Sequence, residues 1–446
     1  MTFQELCAQP LALKGGPKTV TQSYPALFRW PIVTPADEEA VLGVLRAGAM
    51  SGTDISQKFE AEWAAYNGTQ HALSYCNGTA ALLGAMFGVG VGRGDEIICP
   101  SITYWASAMP AFNLGATVVF ADLEESTLCI DPADIERHIS PRTRAIVVVH
   151  YCGHPCDMDP IMSLARKHVI SVIEDVSHAH GSLYKGRMCG TIGDVGAMSM
   201  MSGKSFPIGE GGMLVTDNRE IYERAMSFSH YERITAGVTS PALKACQTGV
   251  DRHLGPLPLG GIKGRMNQTC SAMGRVQLQS YPERVRAIQA GMNRFWDLLE
   301  GTPGLRPHRP AGPRFPNSTM GGWYNPLGLY RPEELGGLPI DPFIKAVQAE
   351  GGIIGRGANS ALHLHKVMNE ADIYHDGKPT RLAFAARDVR QPPAALPVST
   401  NLAGRVYGIP WFKHDDPEAI TRYAAALRKV ALHAKELLAE EAVAAK

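Results

Sequence analysis

Between about residue 70 and residue 216, the chain alternates between short, nearly continuous apolar runs and segments with helical spacing of apolar residues. Strands that are buried on both faces of a sheet have such uninterrupted apolar runs, and parallel α/β sheets contain them. The pattern therefore predicts an α/β domain with a mostly parallel sheet. Its expected strands are His71–Tyr75, Glu96–Pro100, Thr117–Asp122, Ala145–His150, Val169–Asp175, Ala197–Met200 and Gly212–Thr216.

The pattern changes beyond residue 220. Residues 235–265 are rich in Gly, Pro and Ser and predict an irregular segment, and a helix is expected over about 271–299. Residues 301–320 are rich in Pro and Gly, which indicates a boundary between two lobes. Residues 323–330 are expected to start a second, smaller sheet. The apolar spacing over residues 417–446 predicts one long amphipathic helix.

These features divide the chain into three parts. Residues 1–37 are expected to form an N-terminal arm, and residues 38–290 a large domain with a mixed, mostly parallel sheet flanked by helices. Residues 291–446 are expected to form a smaller C-terminal α+β domain. A chain of 446 residues has ample length for more than one core.

Charge and cysteine content narrow the function classes. The 43 basic and 43 acidic residues cancel, so net charge gives no electrostatic reason to expect nucleic acid or an anionic membrane as a partner. The N-terminus shows no signal peptide and no apolar run is long enough to span a membrane, which predicts a cytoplasmic protein. Nine scattered cysteines fit a reducing compartment. Cys152 and Cys156, with His154 between them, are interpreted as buried thiols rather than zinc ligands, and no metal is expected.

Asp175 and Lys204 are the most informative pair of residues. Asp175 closes an apolar strand, which is where α/β sheets place ligand-binding groups. Lys204 follows a later strand, in a loop flanked by apolar residues, so a buried amine with a lowered pKa is plausible there. A carboxylate that keeps a pyridine nitrogen protonated and a lysine that can form a Schiff base are what pyridoxal phosphate chemistry needs. Taken singly, a helix cap at Asp175 and a surface position for Lys204 are the ordinary alternatives.

Two further motifs fit the same interpretation. Gly78 and Thr79 lie between a strand and a helix, where backbone N–H groups, a hydroxyl and the helix dipole can bind a phosphate. A helix cap without a ligand is the commoner role of such a pair. His178 and His180 alternate after Asp175, and His180 in particular has the alternative of an ordinary core histidine.

Together these residues resemble the DegT/DnrJ/EryC1/StrS family, which are pyridoxal phosphate-dependent aminotransferases of keto sugars and cyclitols. The most specific motif is Ser202-Gly-Lys204 followed by Gly209-Glu-Gly-Gly212, and the next is Glu174-Asp175 with His178. The likeness runs from about residue 38 to residue 290 and continues more weakly to the C-terminus. It implies the fold-type I architecture and a homodimer whose subunits share the active site.

The resemblance also implies roles for the matched residues. Lys204 would hold the cofactor aldehyde and move protons, Asp175 would pair with the pyridine nitrogen, and His178 would lie near the ring hydroxyl. The phosphate would be bound by Gly78, Thr79 and Ser199, and Tyr104 would stack on the ring, with Trp105 as the neighbouring aromatic candidate. Asn267 would reach the phosphate of the other subunit.

Some positions depart from the family pattern or point to a branch of it. Gln268 and Thr269 stand where Tyr and Arg are usual, which puts the normal substrate contacts of this loop in doubt. Residues 11–17 and 103–107 resemble the glutamine-dependent scyllo-inosose aminotransferases within the family.

The resemblance implies a ping-pong transamination. An amino group would pass from L-glutamine or L-glutamate to a keto sugar or keto-cyclitol, in the biosynthesis of an amino sugar or aminocyclitol natural product. Three alternatives stay open: lyase or dehydratase chemistry, an unusual natural-product ketone as acceptor, and a non-catalytic regulatory protein that binds the cofactor. Related dehydratases replace the lysine with histidine, so Lys204 argues against that class.

The second half of the chain offers candidates for the substrate pocket without a motif to rank them. Ordinary packing is the preferred interpretation of each of His363, His365, Trp323, Tyr324 and His414. A basic residue such as Arg187, Arg356 or Lys413 could meet a nucleotide diphosphate, or could be a solvated surface charge.

Overall fold

The computed structural model describes residues 1–234, 244 and 257–444, with no account of side chains beyond residue 439. A seven-stranded sheet forms the centre of the larger lobe, in the order β1-β9-β8-β5-β4-β2-β3. Strand β9 is antiparallel to both of its neighbours, and the other contacts are parallel. The large-lobe strands are β1 (His71–Tyr75), β2 (Glu96–Pro100), β3 (Thr117–Ala121), β4 (Thr143–Val149), β5 (Ser171–Asp175), β8 (Val195–Ser199) and β9 (Gly212–Thr216), with a separate hairpin of β6 (Leu183–Tyr184) and β7 (Arg187–Met188).

Helices cover both faces of this sheet. The α-helices are α1 (Phe3–Cys7), α2 (Pro25–Phe28), α3 (Pro35–Arg46), α4 (Asp54–Asn67), α5 (Gly78–Gly88), α6 (Pro132–His138), α7 (Met158–His168), α8 (Arg219–Ser229), α9 (Gln268–Leu298), α10 (Ile340–Ala349), α11 (Lys366–Asn369), α12 (Pro397–Asn401), α13 (Pro417–Leu432) and α14 (Ala434–Ala444). Short 3₁₀ turns lie at Ala12–Lys14, Trp105–Ser107, Met109–Leu114, Tyr151–Gly153, Tyr231–Arg233, Pro332–Leu335, Leu362–Leu364, Thr380–Leu382, Pro393–Ala395 and Leu402–Gly404.

The central strands are buried on both faces, as their apolar runs predict. Ile146 and Val148 of β4 contribute to one hydrophobic cluster, while Ala145 and Val147 contribute to another. Successive side chains of a strand point to opposite faces, so the two clusters lie on the two sides of the sheet. This arrangement explains why the strands show no alternation of apolar and polar residues.

A smaller antiparallel sheet forms in the second half of the chain, as residues 323–330 predict. Its strand order is β10-β11-β13-β12, and a third hydrophobic cluster packs against it. The strands are β10 (Leu305–Pro307), β11 (Leu327–Tyr330), β12 (Gly355–Arg356) and β13 (Val406–Gly408). The fold is therefore the α/β large domain with a smaller α+β domain that the sequence predicts.

The N-terminal residues pack on this smaller lobe. Leu11, Val20 and Leu27 belong to its hydrophobic cluster. The buried carboxylate of Glu350 accepts hydrogen bonds from the Ala12 and Thr19 backbone N–H groups, at 2.7 and 3.2 Å. These contacts hold residues 11–20 in place. The exact division into residues 1–37, 38–290 and 291–446 stays a prediction.

Of the two helices expected in the second half of the chain, one is confirmed and the other is wrong. The helix expected over 271–299 is present as α9. The single helix expected over 417–446 is interrupted at His433, which lies outside helical φ/ψ and separates α13 from α14. Its Nδ1 contacts the Lys429 carbonyl oxygen at 2.8 Å, a local bond that helps the chain to leave the helix. Of the irregular segment expected over 235–265, residues 235–243 and 245–256 lie outside the described residues.

The sheet topology determines where a ligand can bind. Every strand of the large sheet except β9 runs in the same direction, so their carboxyl ends meet at one edge. In open α/β sheets ligands bind at this edge. No described helix is long and apolar enough to cross a membrane.

Candidate active site

A cavity of about 320 Å³ lies at the carboxyl edge of the large sheet and is closed on one side by residues of the smaller lobe. Its walls combine residues that follow β1, β2, β5 and β8 with three residues from beyond position 320. The lining residues are Asn77, Gly78, Thr79, Leu82, Thr103, Tyr104, Ala106, Ser107, Val149, Asp175, Ser177, His178, Ser199, Met201, Lys204, Glu210, Tyr324, Asn325 and Asn359.

Lys204 is the only lysine among the described residues that line the cavity. It is 8% exposed, and its Nζ lies 4.2 Å from the centre of the Tyr324 ring. Its backbone N–H donates to the Met201 carbonyl oxygen at 2.8 Å. Burial lowers the pKa of the Lys204 ammonium, and the Asp175 carboxylate partly offsets this effect. The amine is therefore a better nucleophile than a surface lysine.

Asp175 ends β5 with both carboxylate oxygens hydrogen-bonded. Oδ1 accepts from the Ser177 backbone N–H at 3.0 Å, and Oδ2 accepts from the Ser107 hydroxyl at 2.7 Å. The Ser107 oxygen also contacts the Thr103 hydroxyl at 2.8 Å. This chain of hydroxyl groups fixes the carboxylate in one orientation while leaving it at the cavity wall. Sequence reasoning missed Ser107, which gains its role only because the loop after β2 folds over β5.

The start of α5 forms a cradle beside this carboxylate. Among the described residues, the backbone N–H groups of Gly78 and Thr79 have no hydrogen-bond partner, while the Asn77 side chain caps Ala80 N–H at 2.8 Å. A Cβ at Gly78 would lie 2.5 Å from Ser199 Cβ, so only glycine permits this close approach of the helix to β8. Free N–H groups at a helix N-terminus are suited to a phosphate.

His178 lies in the cavity and His180 does not. The Cys152 backbone N–H donates to His178 Nδ1 at 3.2 Å, and the His178 ring packs 4.7 Å from the Tyr324 ring. Burial holds the pKa of His178 well below its usual range, so the ring is neutral with its proton on Nε2. His180 instead packs against Phe206 in the core and contacts Ser205 Oγ at 3.2 Å.

Of the remaining predicted site residues, some line the cavity and others do not. Ser199 and Tyr104 line the cavity, and Tyr104 is 50% exposed at its rim, with the Trp105 ring 5.0 Å away. Trp105 itself does not line it. Asn267 is exposed at the N-cap of α9, where its side chain accepts from Cys270 N–H at 2.9 Å, and it lies outside this cavity.

The wall from the smaller lobe consists of Tyr324, Asn325 and Asn359. Tyr324 was one of five sequence candidates whose preferred interpretation was packing. Asn325 and Asn359 were missed, because two isolated asparagines in loops carry no sequence signal. Of the other four, His363 is buried and contacts Ser101 Oγ at 2.6 Å, and none of His363, His365, Trp323 and His414 lines the cavity.

The three basic candidates do not line the cavity either. Arg356 forms a surface ion pair with Asp341 at 2.5 Å, and Arg187 donates to the Thr191 carbonyl oxygen at 3.3 Å. Lys413 is only 5% exposed, with its Nζ 3.0 Å from the centre of the Trp411 ring. Lys413 is therefore neither a solvated surface charge nor placed to bind a diphosphate in the cavity.

The lining residues fit pyridoxal phosphate. One cavity contains a buried amine, a strand-end carboxylate, and a phosphate-sized cradle at a helix N-terminus. The carboxylate suits a pyridine N–H and the amine suits an aldehyde. No group of three or more His, Cys, Asp or Glu side chains in the described part of the chain could hold a metal ion.

Comparison with known proteins agrees with this geometry. The sequence model of the DegT/DnrJ/EryC1/StrS aminotransferase family matches residues 31–321. The chain belongs to this family. The protein is accordingly an aminotransferase, and its cofactor is pyridoxal phosphate.

Similar proteins cover almost the whole chain. L-glutamine:2-deoxy-scyllo-inosose aminotransferase of Streptoalloteichus tenebrarius is 31% identical, covering 96% of this chain and 99% of its own. The enzyme of that name from Micromonospora echinospora is 39% identical over 76% of this chain and 79% of its own. The structure of DesI in the presence of its TDP-sugar product has a TM-score of 0.74 and 26% identity, covering 97% of this chain and 98% of DesI. These likenesses extend beyond residues 31–321 into the smaller lobe.

Proposed function

We propose that this aminotransferase moves an amino group from L-glutamine or L-glutamate to a keto-cyclitol or keto sugar, in the biosynthesis of an aminocyclitol or amino sugar. The observation that carries the proposal is the position of Lys204 Nζ, which lies in one cavity with Asp175 and the α5 cradle. The names of the relatives that match most of this chain support glutamine as donor and a keto-cyclitol as acceptor.

Seven of the cavity residues have a proposed role. Bound pyridoxal phosphate supplies an electron sink that acidifies the Cα proton of the donor. Lys204 Nζ takes that proton as a base and returns it as an acid, and the lowered pKa of this buried amine favours the neutral form that accepts a proton. Asp175 orients the pyridine ring. The phosphate binds to Gly78, Thr79 and Ser199, while Tyr104 and His178 position the ring and its hydroxyl.

The charge of the cavity wall favours an uncharged acceptor such as a keto-cyclitol. Among the described lining residues, the charged side chains are Lys204, Asp175 and Glu210. No arginine lines the cavity within the described part of the chain, whereas a nucleotide diphosphate commonly binds to arginine side chains. The DesI structure with a TDP-sugar keeps a nucleotide-linked keto sugar as the second candidate.

We also propose a homodimer in the cytoplasm. Asn267 is exposed and outside the cavity of its own chain, which suits a contact with the cofactor phosphate of a second subunit. The eight described cysteines are free thiols, and six of them are buried, as is common in reducing compartments. The balanced net charge gives no support for a nucleic acid or membrane partner.

The absorbance of the cofactor tests the proposed reaction. Purified holoenzyme should lose its visible band when L-glutamine or L-glutamate is added, and a suitable ketone should restore it. The matched variant Lys204→Ala should show neither change at a normal rate. A band that no donor bleaches would contradict amine transfer, and it would direct the search to lyase chemistry.

A keto-cyclitol and a nucleotide-linked keto sugar, tested as acceptors, distinguish the two proposed substrate classes. We expect 2-deoxy-scyllo-inosose to restore the band and a TDP-linked keto sugar to leave it bleached. The reverse result would establish the nucleotide sugar as the acceptor class and would disprove the argument from the cavity charge.

A further inference from the structure

Asn359 enters the cavity from the loop after β12, and its amide nitrogen has no hydrogen-bond partner among the described residues. Its backbone N–H donates to the Tyr151 hydroxyl oxygen at 2.9 Å. The Tyr151 hydroxyl in turn donates to Asn359 Oδ1 at 2.7 Å. The Asn359 side chain is therefore held by a buried tyrosine at the cavity wall.

This pair of bonds determines which way the Asn359 amide points. A backbone N–H can only donate, so the Tyr151 oxygen is the acceptor and its own proton must go elsewhere. Burial holds the pKa of Tyr151 well above its usual range, so that proton stays on the hydroxyl. The proton goes to Asn359 Oδ1, and the Nδ2 donors then face away from Tyr151. Among the described residues, Nδ2 of Asn359 has no partner, and the residue is exposed to the cavity.

Asn325 lies on the same wall and completes the surface. It is also exposed to the cavity, and its side chain lies against the Cys152 thiol. Tyr324, on the same wall, has its ring 4.2 Å from Lys204 Nζ. Because these residues line one cavity, a molecule bound at Lys204 also meets the wall that carries Asn359 and Asn325.

We propose that Asn359 Nδ2 donates a hydrogen bond to a hydroxyl oxygen of the acceptor, with Asn325 beside it, and so selects a polyhydroxylated ring. Tyr151 is a positioning residue that holds the Asn359 amide in the donating orientation. The inference rests on the proposed function because it concerns the same cavity. A hydroxyl oxygen fits this donor, whereas a ring without oxygen atoms at this position leaves a polar group unpaired.

Separate measurements of the donor half-reaction and of the acceptor half-reaction test the proposal. Asn359→Ala should lower kcat/KM for the keto-cyclitol about tenfold, the value of one lost hydrogen bond, and should leave the donor half-reaction within about twofold. Asn359→Asp keeps Oδ1 for Tyr151 but loses the Nδ2 hydrogen-bond donor. It should likewise slow the acceptor half-reaction and spare the donor half-reaction. Tyr151→Phe should give a smaller loss with the same split. An equal loss in the donor half-reaction would show that the amide contacts the amino acid instead, and would overturn the proposal.

A substrate series identifies the contact itself. Removal of the contacted hydroxyl from the acceptor should cost about tenfold in wild type and less than about threefold in Asn359→Ala, because interacting groups are not additive. Single-deoxy forms of scyllo-inosose, the 2-deoxy compound included, are the probes. The control Asn401→Ala removes an exposed amide that donates to the Pro397 carbonyl oxygen outside the cavity. Additive effects at every hydroxyl position would disprove the contact.

Binding of an inert polyol gives a readout that needs no turnover. Calorimetry with myo-inositol on the holoenzyme should show a dissociation constant about tenfold higher for Asn359→Ala than for wild type. If donors fail to bleach the cofactor but inositol binding depends on Asn359, the proposed reaction is wrong and the subsite stands. If the donor half-reaction proceeds but wild type neither binds inositol nor uses a keto-cyclitol, the subsite is wrong and amine transfer stands.

Discussion

Trp30 Nε1 donates a hydrogen bond to the carbonyl oxygen of Lys204 at 2.9 Å. The two residues are 174 positions apart in the chain. The Lys204 peptide is thus held from one side by its own loop and from the other by a residue that precedes α3. The backbone from which the Lys204 amine extends is fixed before any ligand binds, which is the kind of support that the proposed proton transfer requires.

Trp30→Phe should slow the donor half-reaction by about threefold to tenfold, because it removes one hydrogen bond to the Lys204 peptide and keeps an aromatic ring. Stopped-flow absorbance of the holoenzyme after mixing with L-glutamine measures this rate. Trp411→Phe is the matched control, since its indole N–H donates to the Gly322 carbonyl oxygen at 3.0 Å and not to Lys204. Equal slowing in both variants would show that the aromatic packing matters and the bond to Lys204 does not.

Gly78→Ala should weaken pyridoxal phosphate binding by more than about tenfold. The new Cβ would lie 2.5 Å from Ser199 Cβ and 2.9 Å from the Ser199 backbone nitrogen, so the start of α5 must move away from β8. Equilibrium dialysis of the apoprotein with the cofactor measures the effect.

Gly43→Ala is the control for this substitution. Gly43 lies within α3, and a Cβ there meets no atom within 4 Å. It should raise the free energy of unfolding by about 0.5–1 kcal/mol and leave cofactor binding unchanged. Unchanged binding in Gly78→Ala would contradict the proposed phosphate site.

The Lys204 amine should react at a lower pH than a free lysine. Burial lowers its pKa, so the neutral, nucleophilic form persists below the value of about 10.4 for an exposed lysine. Competitive acetylation of the apoprotein across a pH series, followed by mass spectrometry, measures the midpoint for Lys204 against a free lysine side chain in a model peptide. Asp175→Asn should move the midpoint lower still, because the Asp175 carboxylate raises the pKa of the amine. A midpoint equal to that of the model peptide would refute a buried amine.

Lys413→Met should stabilise the protein by about 1–3 kcal/mol at pH 7. Burial lowers the pKa of Lys413 to about 6, and within the described part of the chain its Nζ lies over the Trp411 ring rather than against an acidic side chain. Between pH 6 and about 10.4 the unfolded chain binds a proton that the native state lacks, so wild-type stability decreases as pH falls. The gain from the substitution should therefore be smaller at pH 9 than at pH 7, as urea denaturation would measure.

Substitution of a second buried lysine, Lys429, should change the stability of the protein in the opposite direction. Lys429 Nζ lies 2.8 Å from Glu350 Oε2, and both side chains are fully buried. Lys429→Met leaves the carboxylate buried without its cation and should destabilise the protein by about 3–5 kcal/mol. If Lys413→Met is as destabilising as Lys429→Met, then Lys413 has a partner in solution and the argument from burial fails.

The sequence predicted the strands from their local pattern, whereas the local pattern alone did not separate the two histidines. Seven apolar runs matched the seven strands of the large sheet, because burial on both faces leaves a continuous local signal. His178 and His180 had the same local signal. They differ because the turn after β5 directs one ring against Tyr324 and the other against Phe206, and both contacts come from distant segments.

The sequence by itself determined the chemistry of this protein. A strand-end Asp175, Lys204 in its loop, and Gly78-Thr79 at a helix start are local patterns, since strand ends and helix starts are formed by neighbouring residues. Only the tertiary structure decided which other groups meet them. Ser107, Tyr324 and Asn359 reach the cavity, and Trp30 reaches the Lys204 peptide, through contacts between segments far apart in the chain. Such contacts depend on how two lobes pack, and no periodicity in the sequence records that packing.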